Sequence, residues 1–142
     1  MFPDVFLVTG GFRFAPLLSI TRNMTIVRQG AELVLVNSVR LSDEGEAELE
    51  ALGKVAHLIR AGAFHGADDP YFVDRFRPTS WAPPGTKHAA GATTDEELRP
   101  GHCPLAATEV FAFEKARKPE VALLLEREGG VLLTCDSYQN WT

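Results

Sequence analysis

The run Val131-Leu132-Leu133-Thr134-Cys135, opened by Gly129-Gly130 and closed by Asp136, is apolar on both alternating faces. It reads as a fully buried strand, the kind found in α/β proteins. The strand delivers one carboxylate, Asp136, at its tip beside Ser137, where α/β proteins commonly place a metal ligand or a catalytic acid. Two further segments carry side chains able to converge on it: Ala63-Phe64-His65-Gly66-Ala67-Asp68-Asp69 and Pro100-Gly101-His102-Cys103-Pro104.

Composition narrows the function classes. At 142 residues and 45% hydrophobic content the chain suits one domain, or part of one, with a real core. Its net charge of -5 arises from 14 basic and 19 acidic residues scattered along the chain, with no Lys/Arg cluster suited to a phosphate backbone, which argues against nucleic acid as a partner. Met1-Phe2-Pro3-Asp4 does not start a basic region leading into an apolar stretch. No segment approaches the roughly 18 consecutive apolar residues of a membrane span. The expectation is a soluble cytoplasmic protein with a small-molecule substrate and no membrane partner. Cys103 and Cys135 are too few for a disulfide scaffold.

Val5–Thr9 reads as a strand stopped by Gly10-Gly11. Met24–Arg28 and Glu32–Val36 are two more, and the Gln29-Gly30-Ala31 connection suits an antiparallel hairpin. Leu41–Leu52 switches to helical spacing with acidic residues in its opening turn; Asp43 and Glu46 resemble a capping box, and Gly53 sits where a C′ glycine belongs. Val55–Ile59 is a buried strand that leads into the His65 loop. Asp69-Pro70 looks like the N-cap and first position of a helix through Phe76. Ser80–Ala82 suggests a short strand, residues 85–100 a long loop with a helical turn near Asp95–Leu98, and Glu109–Glu114, Val121–Leu125 and Val131–Leu133 further strands. No internal repeat is visible.

His65, Asp68 and Asp69 offer imidazole and carboxylate donors of the kind zinc, iron or manganese takes. His102 projects from a turn fixed by Gly101 and Pro104. Each has a structural alternative: His65 as a loop histidine satisfied by backbone groups, Asp69 as a helix cap, and Asp136 as a cap on the segment through Trp141. Cys103 and Cys135, each beside a candidate ligand, leave a soft zinc or redox site open, although their spacing matches no Cys-x-x-Cys pattern.

Taken in chain order, the strand meander, the His-bearing loop, the Pro-Gly-His-x-Pro turn and the Leu-Leu-Thr-x-Asp strand end resemble the metallo-β-lactamase-like hydrolase superfamily. The family's loop reads His-x-His-x-Asp-His. Here Ala63 and Ala67 replace its first histidine and its aspartate, His65 matches its second histidine, and Asp68 stands at its last. His102 matches the family's next ligand and Asp136 its bridging aspartate; a final histidine is expected well downstream, so either the sequence is a piece of a longer protein or its site lacks that ligand. A closer likeness is to an uncharacterised branch with degraded motifs, which keeps one histidine in the loop. Its Arg-x-Met-Thr-Ile-Val-like and Leu-Gly-x-Val-x-His-Leu segments are matched by Arg22–Val27 and Leu52–Leu58.

The resemblance implies an α+β fold, a metallo-β-lactamase-like αββα sandwich shortened at its C-terminus, with residues 1–142 as a single partial domain. It implies a metal site of His65, His102 and Asp136, with zinc, or iron or manganese, as the ion. Asp68 or Asp69 would then act as an added ligand or as the base that orients water. The corresponding activity is hydrolysis of an ester, thioester, lactone or phosphodiester. The competing reading keeps the fold and discards catalysis, leaving a small-molecule-binding or protein-interaction module, because alanine at 63 and 67 cannot coordinate a metal. The family fold occupies about 200 residues or more, so an apolar face left open near residues 131–141 is expected to be covered by a partner chain or by further sequence, and association as a homodimer is expected.

Overall fold

The computed structural model of the protein describes residues 2–15 and 18–136. Two β-sheets and two helices stack in three layers. The larger sheet contains β1 (Val5–Ala15), β2 (Leu18–Gln29), β3 (Glu32–Val36), β4 (Lys54–Ile59), β5 (Thr79–Ala82) and β6 (Glu96–Glu97), in that spatial order. The smaller holds β7 (Thr108–Ala112), β8 (Val121–Leu125) and β9 (Val131–Leu133) as an antiparallel meander; β9 is not buried on both sides as its apolar run suggests, because Val131 and Leu133 pack on the inter-sheet core while Leu132 is 53% exposed. Helices α1 (Asp43–Leu52) and α2 (Asp69–Phe76) serve as the crossovers that let β3, β4 and β5 run parallel.

β3 shows why the larger sheet is apolar throughout its centre. Leu33 and Leu35 join Met24, Ile26, Leu49 and Phe72 in a core under the helices. The alternate residues Val34 and Val36 join Val27, Ile59, Val121, Leu123 and Leu125 between the two sheets. Period-two alternation thus feeds two cores from one strand, with all four residues at most 2% exposed. In β4 the same logic needs a correction, because Val55 and Leu58 both face the helices although they are three apart. The pairing with β3 slips between Leu33/Val55 and Val34/His57, so Ala56 is an extra residue that resets the alternation.

Several boundaries differ from the sequence reading. Gly10-Gly11 does not end β1; the strand continues to Ala15 because β2 runs alongside it and pairs with it past that point. A side chain at Gly10 would collide with Val39, so this glycine serves close packing. α1 is capped by Ser42, whose hydroxyl accepts the Gly45 N–H at 3.2 Å, one residue before the expected Asp43. α2 begins at Asp69 with Asp68 as its N-cap residue, and neither carboxylate makes a side-chain cap. Residues 95–98 form no helical turn, since Asp95 N–H binds Ser80 O at 2.9 Å and Leu98 N–H binds Ala82 O at 2.9 Å, which draws Glu96–Glu97 onto β5. Residues 137–142, including Ser137, Trp141 and the segment that Asp136 is expected to cap, lie outside the described residues. None of the described helices is long and apolar enough to cross a membrane.

Phe72 is fully buried at the helix–sheet interface, with Tyr71 edge-on at 5.1 Å and Phe76 stacked at 5.8 Å. Phe72→Ala is expected to lower the unfolding free energy by about 3–5 kcal/mol, read as a shifted urea midpoint at unchanged m-value.

Candidate metal centre

The candidate site forms where β4 ends and the chain turns into residues 60–68. Arg60 breaks the apolar run of that strand, and its backbone continues the sheet by donating to Trp81 O at 2.8 Å. Its side chain is buried and turns back into the loop. Nε donates to Gly62 O at 3.2 Å, Nη2 to Ala63 O, and Nη1 to Lys87 O at 3.0 Å, with His88 Nδ1 at 3.5 Å. Gly62 O also accepts from His65 N–H at 3.4 Å, and the guanidinium supplies donors to the carbonyls of this buried turn. Asn37, at positive φ after β3, adds its side-chain oxygen to Ala61 N–H at 2.9 Å. Two glycines make the packing feasible: a β-carbon at Gly66 would collide with the Arg60 guanidinium, and one at Gly62 with Cys135 Sγ.

This loop presents His65 to the end of β9. His65 Nε2 lies 3.2 Å from Asp136 Oδ1, and Cys135 Sγ lies 3.7 Å from Asp136 Oδ2. One donor atom from each of His65, Cys135 and Asp136 falls within 4.8 Å of the other two. The imidazole and carboxylate are partly exposed, at 20% and 28%, whereas Cys135 is buried against the inter-sheet core. Burial, together with the adjacent Asp136 carboxylate, pushes the thiol up from its ordinary value, so without a cation it stays protonated. A nitrogen, a sulfur and an oxygen from three residues are a donor set that zinc accepts, with a fourth position left for water or substrate.

The sequence-predicted residues separate into groups. His65 and Asp136 meet, as the chain-order reading expects. His102 does not join them: it lies exposed, with Nε2 3.1 Å from Glu96 Oε2 and its ring 5.0 Å from that of Trp81. Trp81 in turn donates its indole N–H to His57 Nδ1 at 3.2 Å. Asp68 accepts from Arg22 Nη2 at 2.6 Å and from Arg40 N–H at 3.1 Å. Asp69 is 3% exposed and accepts from Ser38 Oγ at 2.6 Å. Burial raises its pKa, and Ser38, Arg60 and His88 offset only part of that. Cys135 takes the third place in the cluster; its position beside Asp136 was the available signal. Arg60 is the residue sequence reasoning missed, and its signal was a lone cation at the end of an apolar strand.

No family model and no curated protein matches this sequence. Solved structures do. A metallo-β-lactamase from Hirschia baltica aligns at TM-score 0.62 with 15% identity, over 89% of this chain and 64% of its own. The metallo-β-lactamase FIM-1 from Pseudomonas aeruginosa, in its mono-zinc form, aligns at 0.63 with 12% identity, over 87% and 61%. VMB-1 aligns at 0.66 with 10% identity, over 88% and 63%. The chain therefore has the metallo-β-lactamase-like α+β fold, and it spans about three fifths of the length of these structures.

Two tests address the loop. Gly66→Ala should destabilise the protein by about 1–3 kcal/mol through overpacking against Arg60, read by urea denaturation. The raised Asp69 pKa sets a sign: the folded state holds the proton more tightly than the unfolded one. Its contribution is complete below pH 3.8 and is lost as pH rises through the higher folded value. Asp69→Asn keeps an acceptor for Ser38 and should remove that decline from the stability–pH profile.

Proposed function

We propose that the protein is a metal-dependent hydrolase with a single-ion site made by His65, Cys135 and Asp136. The observation that carries the reading is the convergence of these three donors at the loop after β4 and the end of β9. Zinc suits the set, and FIM-1, in its mono-zinc form, shares the fold. When bound, the ion would acidify a water molecule and polarise a carbonyl or phosphoryl oxygen.

The chain's own residues supply the rest. Arg60 fixes the carbonyls of Gly62 and Ala63 and so sets the position from which His65 projects. The hydrogen bond between His65 and Asp136 aligns imidazole and carboxylate before any ion arrives. Ala63 and Ala67 offer no side-chain donors, which limits the site to one ion. Asp68 and Asp69 are engaged by Arg22, Arg40 and Ser38, and the reading gives them the role of anchoring the loop; service as the base would require one of them to leave those partners. The substrate class inferred is an ester, thioester, lactone or phosphodiester. Among the described residues, His102 with Glu96 stands apart from the donor cluster, so the reading does not use it.

The experiment is metal analysis after zinc loading and removal of excess ion. One zinc per chain is expected in the native protein and in His102→Asn. His65→Ala and Asp136→Ala should lose it, and Cys135→Ser should hold it more weakly. Native protein that retains no zinc, iron or manganese in any preparation overturns the reading.

A further inference from the structure

We infer that Phe64 and Lys118 form a recognition rim that selects substrates carrying an organic anion next to an apolar body. The inference rests on the hydrolase reading only in treating the His65 loop as the mouth of a site. Phe64 immediately precedes His65 and is 64% exposed. Single exposed apolar side chains are ordinary; this one is set apart by its position and by what lies over it. Lys118 Nζ sits 3.9 Å from the centroid of its ring.

The contact joins two segments distant in sequence. Lys118 belongs to the connection between β7 and β8, which the backbone docks onto the site loop. Gly62 pairs with Glu120 in an isolated bridge, and Val121 N–H binds Ala61 O at 2.8 Å. That connection carries Lys115, Arg117 and Lys118 within four positions, in a chain whose acids outnumber its bases 19 to 14. All three are exposed, and no ion pair engages them among the described residues. A local excess of positive charge on an acidic molecule draws anions to this edge. There the ammonium offers a charged partner, and the part of the Phe64 ring that Lys118 leaves exposed offers a surface for hydrocarbon; both already stand together at low entropic cost to a ligand. Glu120 and Asp136 place carboxylates beside Cys135 at the donor cluster, so an anion docks on Lys118 rather than deeper.

The test uses metal-free protein and two probes of one shape, 3-phenylpropionate and the neutral 3-phenylpropanamide, titrated by NMR. The carboxylate is expected to bind about threefold tighter or more, as one partly exposed ion pair supplies, with saturable shifts at Phe64 and Lys118. Added salt should shrink the preference. Lys118→Glu should abolish it, Phe64→Ala should weaken both probes by about fivefold, and Lys54→Glu, at an exposed site on β4, should leave both unchanged. Equal affinity for the two probes, no saturable shift at millimolar concentration, or a preference that survives in Lys118→Glu overturns the inference. His65→Ala separates it from the metal reading: the preference should persist there, whatever the zinc content, and its loss would place the anion on His65 and also overturn the rim.

Discussion

One buried guanidinium holds the site loop in shape. Residues 60–66 leave the larger sheet and turn sharply; Ala61 O is met by Val121 N–H of β8, but strand pairing does not reach the Ala63 carbonyl. Arg60 answers three carbonyl oxygens from two segments, Gly62, Ala63 and Lys87. A planar fork with five donors suits this task in a way a lysine does not. Gly66 follows from it, because the guanidinium leaves no room for a β-carbon there, and Gly62 follows from Cys135 in the same way. The position of His65, and hence the geometry of the candidate centre, depends on that packing.

The electrostatics around the loop are graded. Arg60 sits among groups that would each be unfavourable alone: Asp69, pushed up by burial, and His88, pushed down by burial and by Arg60 itself. His88 also hydrogen-bonds Thr94 at 2.6 Å, which ties the segment after β5 to the same knot. The outcome is a polar network behind the site, with Asp68 bound to Arg22 at its edge. The donors that face solvent, His65 and Asp136, lie outside that network and remain available.

Much of the fold was legible because the strands repeat a simple rule. Val34 and Leu35 read as a continuous apolar run since both sides of β3 are covered, and the glycine-bearing connection after Gln29 marks its hairpin. His65 and Asp136 were legible as partners because each stands at a strand end or in the loop after one, where side chains are free to converge. Less was legible where tertiary contact overrides local pattern. Gly10-Gly11 reads as a stop but lies inside a long strand, sustained by β2. Glu96-Glu97 reads as helical and is pulled onto β5 by two backbone bonds. Cys135 was ambiguous in sequence: its burial and its approach to His65 depend on how the smaller sheet docks, which no local signal states.

The two halves of the donor cluster belong to different sheets. His65 follows β4 in the larger one, while Cys135 and Asp136 follow β9 in the smaller, and the sheets are joined by an apolar layer that includes Val34, Ile59, Leu123 and Leu125 and by the Val121 N–H to Ala61 O bond. Coordination across that seam would therefore act as a clasp. Whatever free energy an ion gained by bridging imidazole and carboxylate would be added to the cohesion of the sandwich, and any loosening of the seam would surface as weakened affinity far from the ligands themselves.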